Sequence, residues 1–268
     1  MKLKNKQLIP VSALLASATV FGAFAPGTAS AVTWNLTANG CGGSLPACTS
    51  GPGNTRSYVS GSVTLAASAY SDTGDGSPRA IETARLENYS GGGLGVTNRD
   101  AGGQDSGEGS SPEHAVDNNG RYDSVRFDFG STAPVRLTGL SFGWLSGDAD
   151  FSVLYSSTGA LTGLNYGNFG WSLLGNYAAN DSGVSFNLGN ASTFARYWLV
   201  VAYNPVLGGT CTNVGGDGFC ADGNDHFKIS SATGYLPPPD RDQKVPEPGT
   251  LALLGLGLVG LGVSRRRK

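Results

Sequence analysis

Between residues 32 and 235 this chain carries no sustained 3.6-residue apolar period; short alternation recurs instead, closed off by Gly, Asn, Asp and Ser. Val125, Phe127 and Phe129 alternate with Ser124, Arg126 and Asp128, and Phe151, Val153 and Tyr155 repeat the pattern, as do Val184, Phe186 and Leu188. Tyr197 to Tyr203 is a nearly continuous apolar run, as expected of a strand buried on both faces. Further strands are expected over 32–37, 57–69, 80–88, 135–144, 171–177 and 226–235. About ten short strands with turn residues between them predict an all-β body, 32–235, built as one antiparallel, jelly-roll-like β-sandwich. The 42 Gly and 13 Pro lack the period of collagen, and 39% hydrophobic residues suffice for a core, so wholesale disorder is excluded.

Each end reads as an address. Lys2, Lys4 and Lys6 precede an apolar run from Leu8 to Phe24, and Ala29-Ser30-Ala31 follows. A basic head, an apolar stretch and an A-x-A site predict a signal peptide, 1–31, cut after Ala31 by signal peptidase. At the other end a Pro-rich linker, 236–244, leads into Val245-Pro246-Glu247-Pro248, an apolar segment 251–263, and Arg265-Arg266-Arg267-Lys268. That apolar segment has 13 residues, four of them Gly, whereas a permanent membrane span needs about 17–25. It is expected to form a short helix that stops in the inner membrane transiently, held by the four terminal cations. Proline flanking a carboxylate keeps the preceding tetrapeptide extended and readable.

These three parts in order, 245–268, resemble the PEP-CTERM sorting signal, which the membrane protease–transpeptidase exosortase reads. The resemblance implies export across the inner membrane of a Gram-negative bacterium that makes extracellular polysaccharide. It also implies cleavage near the Pro-Glu-Pro and delivery of the body to the cell surface or matrix.

Loss of Lys2, Lys4, Lys6 and the four terminal cations takes 18 basic residues to 11 against 20 acids, a net charge near −9. An acidic exported body excludes nucleic acid as a partner, because phosphate binding needs a basic face. Four cysteines in an oxidising compartment are expected as two local disulfides, Cys41–Cys48 and Cys211–Cys220; neither spacing is a zinc hook.

A long polar loop is expected between Tyr89 and Ser124. It contains Gly91-Gly92-Gly93-Leu94-Gly95-Val96-Thr97-Asn98-Arg99-Asp100 and later Pro112-Glu113-His114-Ala115-Val116-Asp117-Asn118-Asn119. These stretches, with Gly143-Trp144, Tyr197-Trp198-Leu199 and Asp225-His226-Phe227-Lys228, resemble the XDP-type exosortase-dependent surface proteins, a resemblance that implies no activity. Asp100, Asp105, Glu108, Glu113, Asp117 and Asn118 are hard oxygen donors of the kind calcium takes. No EF-hand spacing fits, and the same residue types serve turns. Asp217, Asp222, Asn224 and Asp225 form a second such stretch.

No catalytic set is expected. Gly139-Leu140-Ser141-Phe142-Gly143 matches a nucleophile elbow but is followed by strand pattern where the elbow requires a helix. Trp34, Trp144, Trp171 and Trp198 could stack sugars or pack the core, and the strand patterns around Trp144 and Trp198 favour the core. The expectation is a non-enzymatic surface or matrix protein associated with exopolysaccharide or biofilm. Its rivals are a calcium-dependent adhesion or carbohydrate-binding module and a secreted carbohydrate-active enzyme. An ice-binding role is more remote, since regular Thr-x-Thr arrays are absent.

Overall fold

Alternating residues form strands here because two sheets face one another and each buries every second side chain. A computed structural model describes residues 30–38, 51–100, 114–131, 134–180, 182–183, 185–214, 218–220, 223, 225–238 and 248–265. The expectations for the leader up to Ala29, for Cys41–Cys48 and for Asp105, Glu108, Glu113, Asp217, Asp222 and Asn224 lie outside those residues. So do those for Val245, Pro246, Glu247, Arg266, Arg267 and Lys268.

The strands are β1 (Ala31–Asn35), β2 (Thr55–Ser60), β3 (Val63–Ser71), β4 (Glu82–Thr83), β5 (Arg85–Tyr89), β6 (Gly93–Thr97), β7 (Val116–Asp117) and β8 (Asp123–Asp128). They continue as β9 (Arg136–Leu145), β10 (Phe151–Ser156), β11 (Ser172–Ala178), β12 (Ser185–Asn187), β13 (Tyr197–Ala202), β14 (Cys211–Asn213) and β15 (His226–Tyr235). One helix, α1 (Pro248–Arg265), follows. The first sheet runs β12-β9-β15-β6-β5, with β1 and β7 also on β15; the second runs β14-β11-β10-β13-β8-β3-β2, with β4 on β3. Pairing is antiparallel except between β11 and β14, so the second sheet is mixed rather than purely antiparallel. Cys211, at the start of β14, is bonded to Cys220.

Three expectations change. The single strand over 57–69 is a hairpin, because Gly61 takes φ +59° and lets Ser60 pair with Val63 across a two-residue turn. The strand over 80–88 is divided into β4 and β5. The long polar loop contains β6, almost wholly buried, and β7. Glycine there marks close approach rather than looseness. A Cβ on Gly93 would run into the Ile229 carbonyl, and one on Gly95 into the His114 carbonyl.

The inter-sheet core gathers Trp34, Phe127, Phe142, Phe151, Phe186 and Phe227, all fully buried or nearly so. Phe142 and Phe227 stack with centroids 4.3 Å apart, and Trp34 donates Nε1 to the Val63 carbonyl at 3.1 Å. β13 is buried on both faces, as its composition predicts. Trp198, Val200 and Ala202 enter the main core. Leu199 and Val201 enter a second cluster with Tyr70, Ile81, Leu154, Leu161, Tyr166 and Phe169 on the outer side of the same sheet.

The register separates two poles. Ala31 pairs with Tyr235, and the Leu236 N–H donates to the Ser30 carbonyl at 3.0 Å, so both ends of the body leave from one pole. β15 has 10 residues, which places its other end about 30 Å away. The helix α1 carries exposed Leu253, Leu254, Leu256, Leu258 and Leu261. Among the described residues no helix is long and apolar enough to cross a membrane.

Candidate metal centre

Strand order collects acids at the pole opposite the chain ends. Asp123 opens β8 beside Ser71, the last residue of β3. Phe151 opens β10 beside Ala202, the last residue of β13, and Asp150 immediately precedes it. In the facing sheet Asp117 of β7 pairs with His226, the first residue of β15, and Asp148 bridges to Asp225.

Asp148, Asp150 and Asp225 each offer one carboxylate oxygen, all within 4.8 Å of one another. Asp150 and Asp225 are fully buried. The Asp150 N–H donates to Asp225 Oδ1 at 2.6 Å, and Asn118 Nδ2 donates to Asp225 Oδ2 at 2.5 Å. Asn118 Oδ1 in turn accepts from the Asp225 N–H at 3.0 Å. Asn118 Nδ2 also reaches the Tyr203 carbonyl at 3.0 Å, linking the two sheets. Asp148 Oδ1 accepts from Ala149 N–H at 2.8 Å, and Asp150 Oδ1 from Ala179 N–H at 3.3 Å.

Burial, reinforced by the neighbouring Asp150 and Asp148 charges, pushes Asp225 up from 3.8 to about 9. Yet both of its oxygens accept from N–H donors, the arrangement that an ionised carboxylate satisfies best. A cation held between the three oxygens would reconcile the two demands. The donors are all hard oxygens, which suits calcium or magnesium rather than a thiolate- or imidazole-seeking metal.

The calcium ligands expected from sequence fall apart in part. Asp100 is occupied by Arg121, whose Nε donates to Asp100 Oδ2 at 2.5 Å. Asp117 is buried and accepts the Asn119 N–H at 3.1 Å, outside the convergent trio. Asn118 does reach the trio, through Asp225, which belongs to the second acidic stretch. Asp148 and Asp150 were missed. Their signal is an Asp-x-Asp turn directly after β9, which looks like ordinary turn chemistry until Asp225 is brought against it.

The remaining conspicuous residues pack against one another. Lys228 is buried, its Nζ 4.0 Å from the Tyr89 ring centre and 4.4 Å from that of Trp144. His114, at φ 52°, stacks on Tyr89 and bonds Thr97 Oγ1 through Nδ1 at 2.9 Å. A Cβ on Gly143 would lie 2.6 Å from the Gly91 and Gly92 carbonyls. The separated glycine, tryptophan and lysine motifs are thus one packed knot. Trp34 and Trp198 are fully buried, and Trp171 donates Nε1 to the Ala160 carbonyl at 2.7 Å. Ser141 lies inside β9 and not on a strand-to-helix turn.

A family model for the PEP-CTERM protein-sorting motif matches residues 244–268. No curated protein matches the chain, and no solved structure does. The motif implies an exported protein processed by exosortase, in the manner of Gram-negative bacteria. The XDP-type resemblance of the body has no match beside it.

Proposed function

We propose that this is a non-enzymatic cell-surface or matrix protein whose sandwich, once released by signal peptidase and exosortase, associates with extracellular polysaccharide. The sorting motif at 244–268 carries the reading, since it commits the body to the compartment where that polysaccharide lies. The fold suits the task. Both processed ends leave from one pole, and the linker over 236–244 can hold the other pole away from the membrane. The near −9 charge keeps such a body soluble and turns it from nucleic acid.

The experiment is deletion in the producing bacterium, followed by fractionation of cells and matrix with an antibody to the body. The reading expects the protein in the matrix fraction, a shift to the membrane fraction on Glu247→Ala, and altered matrix in the deletion strain. A body found only in the periplasm, with matrix unchanged by deletion, overturns it.

A second reading, a calcium-dependent module, is favoured by the convergence of Asp148, Asp150 and Asp225. These residues would hold the ion, with Asn118 fixing Asp225 from behind. Bound calcium supplies positive charge that lets all three carboxylates ionise and ties the two sheets at that pole.

A further inference from the structure

Four neighbouring strands of the first sheet, β12, β9, β15 and β1, turn a face outward that has a different character from the rest of the body. Phe186, Leu140, Ala232 and Trp34 are in register and point into the core. The alternate positions therefore turn to the outer side in two rows across the sheet. One row is Ser185, Ser141, Ser231 and Asn35; the next is Asn187, Gly139, Thr233 and Thr33. Neither row holds a charged residue, on a chain with 20 acids.

At the β12 end of these rows Ser185, Asn187, Gly139 and Thr233 line a groove of about 490 Å³ together with Thr138 and Tyr235, a size typical of small-ligand sites. Gly139 forms its floor. A Cβ there would lie 3.4 Å from Ser185 Oγ and 3.6 Å from Thr233 Cβ, so the missing side chain leaves a trough between Ser185 and Thr233. Arg136, half-buried, ends the groove, and its guanidinium is engaged. It lies over the Tyr235 ring at 4.7 Å and the Phe194 ring at 5.6 Å, and Nη1 donates to the Ala191 carbonyl at 2.5 Å.

We propose that this groove binds an extended, neutral glycan chain, its hydroxyls meeting the Ser, Thr and Asn rows. The inference rests on the reading of the protein as polysaccharide-associated and gives that association a place. Side chains that both donate and accept match a ligand whose hydroxyls do the same. Neither row carries a cation, and Arg136, the charged residue of the lining, is already engaged by two rings and a carbonyl, which favours a neutral polymer over an anionic one.

The test is affinity electrophoresis of the full, detergent-solubilised chain through gels containing β-glucan, xylan or mannan, and through gels containing anionic alginate. At least one neutral polymer is expected to retard the chain and alginate to leave it unretarded. The double variant Ser185→Ala/Asn187→Ala, on an exposed edge strand, is expected to bind about tenfold more weakly, about 1.4 kcal/mol, while keeping the parent's circular dichroism spectrum. Val59→Thr, exposed on β2 of the other sheet, should bind as the parent does. Equal retardation of parent and double variant overturns the groove and leaves the polysaccharide reading standing. Retardation by alginate alone overturns both the groove and the neutral class. No retardation by any polymer overturns the inference together with the reading beneath it.

Discussion

Asn118 Nδ2 donates to Asp225 Oδ2 at 2.5 Å across 107 positions of sequence, while Asn118 Oδ1 accepts the Asp225 N–H. This reciprocal pair clamps the start of β15 to the segment after β7 and fixes the orientation of the carboxylate that Asp148 and Asp150 approach.

With Asp225 raised to about 9 in the metal-free fold, the folded state keeps a proton that the unfolded chain releases in the ordinary carboxylate range. That stability is fully present below about pH 4 and is lost progressively as the pH rises toward 9. Asp225→Asn should therefore remove this pH dependence, its melting temperature in EDTA changing less between about pH 5 and 8 than the parent's. Calcium at 100 times its Kd should raise the parent by about 2.7 kcal/mol, a shift of several degrees, and leave the variant unmoved. Melting curves in calcium and in EDTA check both; an equal response of parent and variant removes the trio as the site.

Asp72 gives a second, separable pH dependence. Burial, with a smaller push from Asp100, lifts it from 3.8 to about 6, against the Tyr122 N–H and Arg79 that favour its charged form. Its contribution is present below about pH 4 and lost as the pH rises through 6. Asp72→Asn should flatten the fall in denaturation midpoint between pH 4 and 7, read by urea titration in EDTA.

Gly95→Ala tests whether the glycine-rich segment is strand or loop. A Cβ there meets the His114 carbonyl, which is backbone and cannot step aside. We expect a loss of about 2–3 kcal/mol, against a change within about 0.5 kcal/mol for Val59→Thr at an exposed position. Equal midpoints for the two variants would return the segment to a loop.

Lys228→Met keeps the buried stem and removes the ammonium from between Tyr89 and Trp144. A loss of about 1–2 kcal/mol is expected in chemical denaturation, with blue-shifted Trp144 fluorescence. A neutral substitution would show that the aromatic faces pack the stem alone.

Much of this architecture was legible locally. Alternation is a property of adjacent residues, so β15 was expected over 226–235, the span it occupies. The two-sided burial of β13 followed from an apolar run with no polar face. The addresses at the two ends were equally local, and the one at 244–268 is matched. What composition hid was the strand β6, because glycine serves both loops and close backbone approach, and only the position of Ile229 and His114 distinguishes them.

By itself, then, the sequence determined the sorting tail, the all-β character and most strand positions, since each depends on residues within about ten of one another. The tertiary structure alone decided which acids meet and which face stays neutral. Asp148 and Asp150 meet Asp225 only because β9, β10 and β15 end at the same pole. The Ser, Thr and Asn rows exist only through the register of β12, β9, β15 and β1. Register between distant strands is set by burial of Trp34, Leu140, Phe186 and Ala232 together, a cooperative condition that no single stretch of chain expresses.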